Sequence, residues 1–288
     1  LEDKNRHLLE ISVAMLFIGT SGMLGRFVPL EAGPAVWWRA ALTIPLMVGY
    51  CWWRGIPLLV PKGRRWAVLL SGVLMAAHWV TYFYALKLSS VAIGMLAIFT
   101  YPAMTTLLEP LLLKKAFEPR HIGLAVLMLL GVYLLVPGEV SLADDAFVGL
   151  LFGLLSAFIY SLRNIVLKTQ VYEVNGSVLM LAQVAVTVVL VGPFLFFSPA
   201  LPTVAALPYL VGLALLTTAI GHTLFLRSFK HFSVSTASLL SCVQPVYGIL
   251  LAMVFFGEVP GWSAVFGGGL ILVGVVVEGW RVGLSARQ

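Results

Sequence analysis

Charge is scarce in this 288-residue chain: 10% of its residues are Asp, Glu, Lys or Arg, against 60% hydrophobic. With a mean hydropathy of +1.01, it has too few polar side chains to solvate the surface of a water-soluble domain. Aspartate is the scarcest acid. All three, Asp3, Asp144 and Asp145, fall outside the long apolar blocks, and the glutamates inside blocks, Glu10, Glu109 and Glu278, stand near block ends. A carrier that binds a proton and a cation in turn at a central carboxylate finds no such group here. The two cysteines, Cys51 and Cys242, lie within apolar blocks, which supports neither a disulfide framework nor a thiolate metal site. Intramembrane enzyme chemistry is equally undersupplied, with no His-x-x-x-His spacing and no mid-block acid cluster. Gly267-Gly268-Gly269 lacks the Lys-Ser/Thr partner of a phosphate loop and reads as close helix packing. No cofactor is called for.

What the chain does have is apolar length. Short polar interruptions divide it into ten blocks, at about 8–28, 33–53, 66–86, 91–113, 121–137, 147–167, 177–197, 206–229, 234–256 and 262–282. A hydrocarbon core of about 30 Å needs about 20 apolar residues per helix, so the expected fold is an all-α membrane protein of ten transmembrane helices. The first block is full length, without a small-x-small cleavage site before a polar region, and reads as a retained span. The formal charge of +6 is scattered through the connections, which speaks against nucleic acid and for anchoring in a lipid bilayer.

The basic residues fall on one side. With a cytoplasmic N-terminus, that side collects Lys4, Arg6, Arg54, Lys62, Arg64, Arg65, Lys114, Lys115, Arg120, Lys168, Arg227, Lys230, Arg281 and Arg287. The other side offers Lys87 and Arg26, and its longest connection carries Glu139, Asp144 and Asp145. The positive-inside rule then places both termini in the cytoplasm, as an even number of spans requires.

Sliding the chain by 143 residues superposes Lys87 on Lys230, Ser90 on Ser233, Val91 on Val234, Leu96 on Leu239, Pro102 on Pro245 and Gly131 on Gly274. Leu and Val recur by chance in so apolar a sequence, whereas Lys, Pro and Gly in register do not. Two five-helix repeats are expected, residues 1–140 and 141–288, the second inverted because five is odd. Such halves can expose a central site to each side in turn.

The stretch Tyr82-Phe83-Tyr84-Ala85-Leu86-Lys87-Leu88-Ser89-Ser90-Val91 leading into Pro102, echoed by Leu226-Arg227-Ser228-Phe229-Lys230-His231-Phe232-Ser233-Val234 leading into Pro245 and Gly257-Glu258, resembles the drug/metabolite transporter superfamily, specifically its ten-helix EamA-type members. The resemblance spans the whole chain. It implies a bacterial inner-membrane transporter, similar to the YddG-like amino-acid exporters, while other relatives import nutrients or carry drugs.

Polar groups at membrane depth are costly and mark binding sites by default. His78, with Trp79 beside it and Tyr82 one turn on, and His222, one position from His78 under the repeat, read equally as packing groups or as ligands. Pro102 and Pro245 remove backbone donors near mid-span, which kinks a helix and frees carbonyls; their polar predecessors Tyr101 and Gln244 correspond in the repeat. The sixth span offers Ser156, Tyr160, Arg163 and Asn164. Arg163 reads first as a cation snorkelling to headgroups and second as a carboxylate ligand. Trp38 and Arg39 are weaker gate candidates. The resulting expectation is a carrier of small organic solutes, amino acids foremost, through an aromatic-lined cavity, with a quaternary amine such as choline as the alternative through cation–π attraction. Histidines leave room for proton coupling, and a monomer suffices.

Overall fold

In lipid a backbone polar group has no water to bond, so each apolar block satisfies its N–H and C=O groups within a helix. The computed structural model describes residues 2–89, 91–135, 144–197 and 201–284. Ser90, Glu139 and Arg287, named above, lie outside them. Helices α1 (Glu2–Gly25), α2 (Ala32–Trp53) and α3 (Arg65–Leu88) are followed by a fourth span in two pieces, α4 (Val91–Ile98) and α5 (Tyr101–Leu113). Next come α6 (Pro119–Leu135), α7 (Asp144–Gln170) and α8 (Gly176–Val191), the last continued by a 3₁₀ turn over Gly192–Phe196. The eighth span joins α9 (Leu207–Gly212), a π-helical stretch Leu213–His222 and α10 (Thr223–Ser228). The ninth is again broken, α11 (Val234–Ser241) and α12 (Gln244–Phe256), and α13 (Trp262–Leu284) is the tenth. Eight of these spans have the length and apolarity to cross a bilayer, and Pro119–Leu135 is a shorter apolar helix. α2 is long enough at 22 residues, its hydropathy diluted by Arg39.

The repeat reaches element boundaries. Both ends of α4 and α11 are 143 residues apart, as are both ends of α5 and α12, and the first residues of α6 and α13. α5 ends on Lys114 at φ 52° and α12 on Gly257 at φ 64°, again 143 apart, both in the left-handed region that closes a helix. Glycine adopts it without strain; lysine does so at a cost.

The two copies pack in opposite senses. The end of α5 meets the start of α11, where the Glu109 carboxylate receives the Val234 N–H at 3.0 Å. α6 and α13 run antiparallel at close range: a Cβ on Gly267 would fall 2.5 Å from the Gly131 carbonyl oxygen. Small residues let the backbones approach this closely, which accounts for part of the triple-glycine run. Large apolar side chains such as Leu111, Val189, Val254 and Phe266 stay exposed on the outside of the bundle, the face that lipid covers.

Candidate functional site

Three of the spans are irregular at mid-depth. Pro102 and Pro245 stand in the first turns of α5 and α12, where the missing N–H costs no helical bond. The kinks expected at these prolines are therefore breaks at residues 99–100 and 242–243. The Tyr101 carbonyl accepts the Ser161 hydroxyl at 3.0 Å, which ties the first break to α7. In the eighth span the π-helical stretch carries Thr217, Thr218 and His222, all buried; such wide turns often accompany functional sites.

Around these irregularities, aromatic and polar side chains from both repeats converge. The His78 and Tyr160 rings stack at 4.4 Å, and Tyr101 meets Tyr160 edge-on at 4.9 Å. Tyr82 stacks more distantly on His78, at 6.4 Å. His78 Nδ1 lies 2.8 Å from the Ser156 hydroxyl, which donates in turn to the His78 carbonyl. The Tyr101 hydroxyl bonds to Ser241 of α11. Trp79 and His222, equivalent positions in the two repeats, approach at 6.4 Å.

Two guanidinium groups enter the same cluster. Arg39 covers the Trp79 ring at 4.7 Å and donates from Nε to Thr218 at 2.6 Å. Arg163 lies 5.6 Å from the Tyr160 ring centroid and donates to Gln183 and Asn164, both at 2.8 Å. Its exposure is 0%. The snorkelling expected of Arg163 is thus overturned. A helical side chain leans toward the N-terminus of its own helix, which for residue 163 of α7 points away from the nearer membrane face and into the bundle. Among the described residues no carboxylate lies within ion-pair distance of Arg39 or Arg163.

Most of the expected set is brought together: His78, Trp79, Tyr82, Tyr101, Tyr160, Asn164, His222, Arg39 and Arg163. Gln244 is half-buried at the head of α12 with its backbone against Gly19 of α1, and no hydrogen bond or ring contact joins its side chain to the cluster. Trp38 meets Trp37 edge-on at 5.1 Å. Sequence reasoning missed Gln183, Thr218 and Ser241; a buried glutamine in the otherwise apolar α8 was the one usable signal. Among the described residues no group of three or more His, Cys, Asp or Glu could hold a metal ion.

At one end of the bundle, buried carboxylates close the gap between repeats. Glu109 also accepts from the Ser235 N–H and hydroxyl, both at 2.7 Å. Glu278, 0% exposed, accepts from Thr236 at 2.7 Å and Arg281 at 2.6 Å, with His121 Nε2 at 3.3 Å. Both acids therefore grip the first turn of α11. Lys168 bonds to the carbonyls of Phe229 and Phe232 beside them. At the other end the inter-repeat ion pair Arg26–Glu258, at 2.5 Å, is exposed.

Comparison with known proteins gives a consistent picture. A family model described as the EamA-like transporter family matches twice, over residues 7–136 and 147–278. A Bacillus subtilis protein named uncharacterized transporter YwfM is 26% identical over 288 residues, covering 95% of this chain and 93% of its own length. An Archaeoglobus fulgidus protein named uncharacterized transporter is 26% identical over 202 residues, 70% of this chain and 71% of its own. A solved crystal structure superposes with a TM-score of 0.84 at 20% identity, covering 95% of this chain and 96% of that one, a likeness of fold.

Proposed function

The chain belongs to the EamA-like transporter family, and on that premise we propose that it carries small organic solutes, amino acids foremost, by alternating access through the cluster around Tyr160. The observation that carries this reading is that the cluster is built across the repeats. Tyr101–Ser241, Trp79–His222 and Arg39–Thr218 each join one half to the other, so a rocking motion between halves opens and closes it. Aromatic faces flank a few hydrogen-bonding groups, as in small-molecule sites generally. The carboxylates that clamp α11 act as a gate, formed while the solute faces the far side and broken when it faces theirs.

The basic end is taken as cytoplasmic, with both termini there, in a bacterial inner membrane, and the division between repeats as residue 140. Among solutes, the two guanidinium groups speak against choline or another quaternary amine, since cations inside the cluster repel a cation that an aromatic cage alone would attract. Purified protein in liposomes should equilibrate labelled amino acids. His78→Ala and Tyr101→Ala should each slow that flux by about tenfold, a loss of roughly 1.4 kcal/mol of binding or transition-state energy. Full flux in both variants refutes the placement of the site. Imposing a pH gradient tests coupling: solute accumulation that follows the gradient marks proton linkage, and simple equilibration marks uniport or exchange.

A further inference from the structure

The guanidinium groups of Arg39 and Arg163 are the least explained groups in the molecule. Arg163 is fully buried and Arg39 partly so, and a cation taken out of water is ordinarily matched by a carboxylate. Neither has one among the described residues. Both lie close enough to Tyr160, His78 and His222 to act on them electrostatically, so each adds positive potential at the same rings. The wiring around Arg163 is also incomplete. Its Nε and Nη1 are engaged by Gln183 and Asn164, while Nη2, fully buried, has no partner among the described residues, and neither has the buried Nδ1 of His222. A buried donor left unbonded has lost its hydration with nothing in return, and the loss is larger when the donor is charged. Gln183 and Asn164 fix the guanidinium plane with one nitrogen free, as a built anion receptor would hold it.

We propose that Arg163 receives the carboxylate of the transported solute, with Arg39 adding positive potential to the same cluster, while the solute's apolar or aromatic part packs on Tyr101, Tyr160 and His78. This rests on the transport reading and adds the charge of the substrate: a small carboxylic acid in its anionic form, for which an ammonium group is dispensable. A carboxylate presents two coplanar oxygens, the geometry that a guanidinium edge matches. Among the described residues, no acid meets the cluster to take up an ammonium. Arg163 is the hydrogen-bond donor and Arg39 the second charge; their repeat equivalents, Thr20 and Ala182, carry no charge, so the anion site is not duplicated by the repeat.

The test is equilibrium binding to purified full-length protein by a matched set of probes: 3-phenylpropionate, L-phenylalanine, L-phenylalaninamide and phenethylamine. The two carboxylates should bind, and the amide and the amine should bind at least about tenfold more weakly, as expected for losing a hydrogen bond to a charged group. R163Q should lower affinity for 3-phenylpropionate by about 10- to 100-fold, with R163K restoring it only in part because the charge returns without the fork. Equal binding of amine and acid, unchanged affinity in R163Q, or preference for phenyl phosphate over 3-phenylpropionate overturns the proposal. Should R163Q fail to fold, the wild-type probe series decides alone. Flux of L-phenylalanine in liposomes separates the two claims. Acid-selective binding without flux counts against transport and leaves the carboxylate site standing; flux without acid selectivity does the reverse.

Discussion

Replacing Glu109 by Gln should free the first turn of α11 and tip the protein toward the state open at its basic end. The Glu109 carboxylate accepts three hydrogen bonds from α11, from the Val234 N–H at 3.0 Å and from the Ser235 N–H and hydroxyl at 2.7 Å, and a fourth from the Lys115 ammonium at 3.2 Å. The negative charge also complements the exposed N–H groups at a helix start. A glutamine retains one acceptor oxygen and presents an NH₂ group to donors, so at least one of the three bonds is lost and the charge with it. With charge-assisted bonds contributing about 1.5–3 kcal/mol each, the expected loss is about 2–3 kcal/mol, an equilibrium shift of about 30- to 150-fold. Glu109→Ala, which removes every acceptor, should cost about 3–5 kcal/mol. The assay places a cysteine at Thr105, buried one turn from both Tyr101 and Glu109, in a background with Cys51 and Cys242 replaced by Ala, and measures its modification by a water-soluble maleimide. Labelling should accelerate by the factor above in Glu109→Gln and be slowed by 3-phenylpropionate. Equal labelling rates and equal melting temperatures in Glu109→Gln and its parent refute the assignment of this contact as a gate.

Two further substitutions probe the scaffold. Gly267→Ala drives a methyl group to 2.5 Å from the Gly131 carbonyl, and since that neighbour is helical backbone, the α6–α13 crossing must open at a cost of about 1–3 kcal/mol. Gly269→Ala, with nothing within 4 Å of the new methyl, should leave the melting temperature in detergent unchanged; equal effects of the two reject the crossing. Glu173, in the connection after α7, receives Arg64 Nε at 2.7 Å, and that hydrogen bond holds its carboxyl below the usual carboxylate range. A depressed folded-state value gives stability that is complete above the unfolded carboxylate's pKa of about 4.3 and lost as pH falls through the folded one. Glu173→Gln should therefore melt slightly below wild type at neutral pH and approach it as the pH falls; a gap that does not narrow in acid means the residue acts through packing.

The scaffold was legible because lipid enforces it. Block length, proline position and charge asymmetry each follow from the bilayer, and the 143-residue register seen in Lys87/Lys230 and Pro102/Pro245 extends to the ends of four helices. The site was legible only in part. Tyr101, His78 and Tyr160 stood out as polar or aromatic groups at mid-span, but nothing in a one-dimensional pattern says that Thr218 faces Arg39 or that Gln183 faces Arg163, because both pairings cross between spans. Arg163 was misjudged for a related reason. Distance along the helix placed it near a membrane face, while the lean of its side chain carried it the other way.

The same contrast separates scaffold from chemistry. Where the two repeats agree, in the residues Pro102/Pro245 and Gly131/Gly274 and in the left-handed conformation at Lys114 and Gly257, the agreement shapes backbone. Where they disagree, the residues face the cluster: Arg39 against Ala182, Arg163 against Thr20, Tyr160 against Phe17, Trp79 against His222. In the proposed alternating access an inverted duplication would supply two nearly equal conformations, but a symmetric pair of sites would hold a solute equally in two poses related by rotation. Because neither guanidinium group nor Tyr160 has its like at the equivalent position, the proposed site would offer the solute one pose while the repeated backbone supplies the motion.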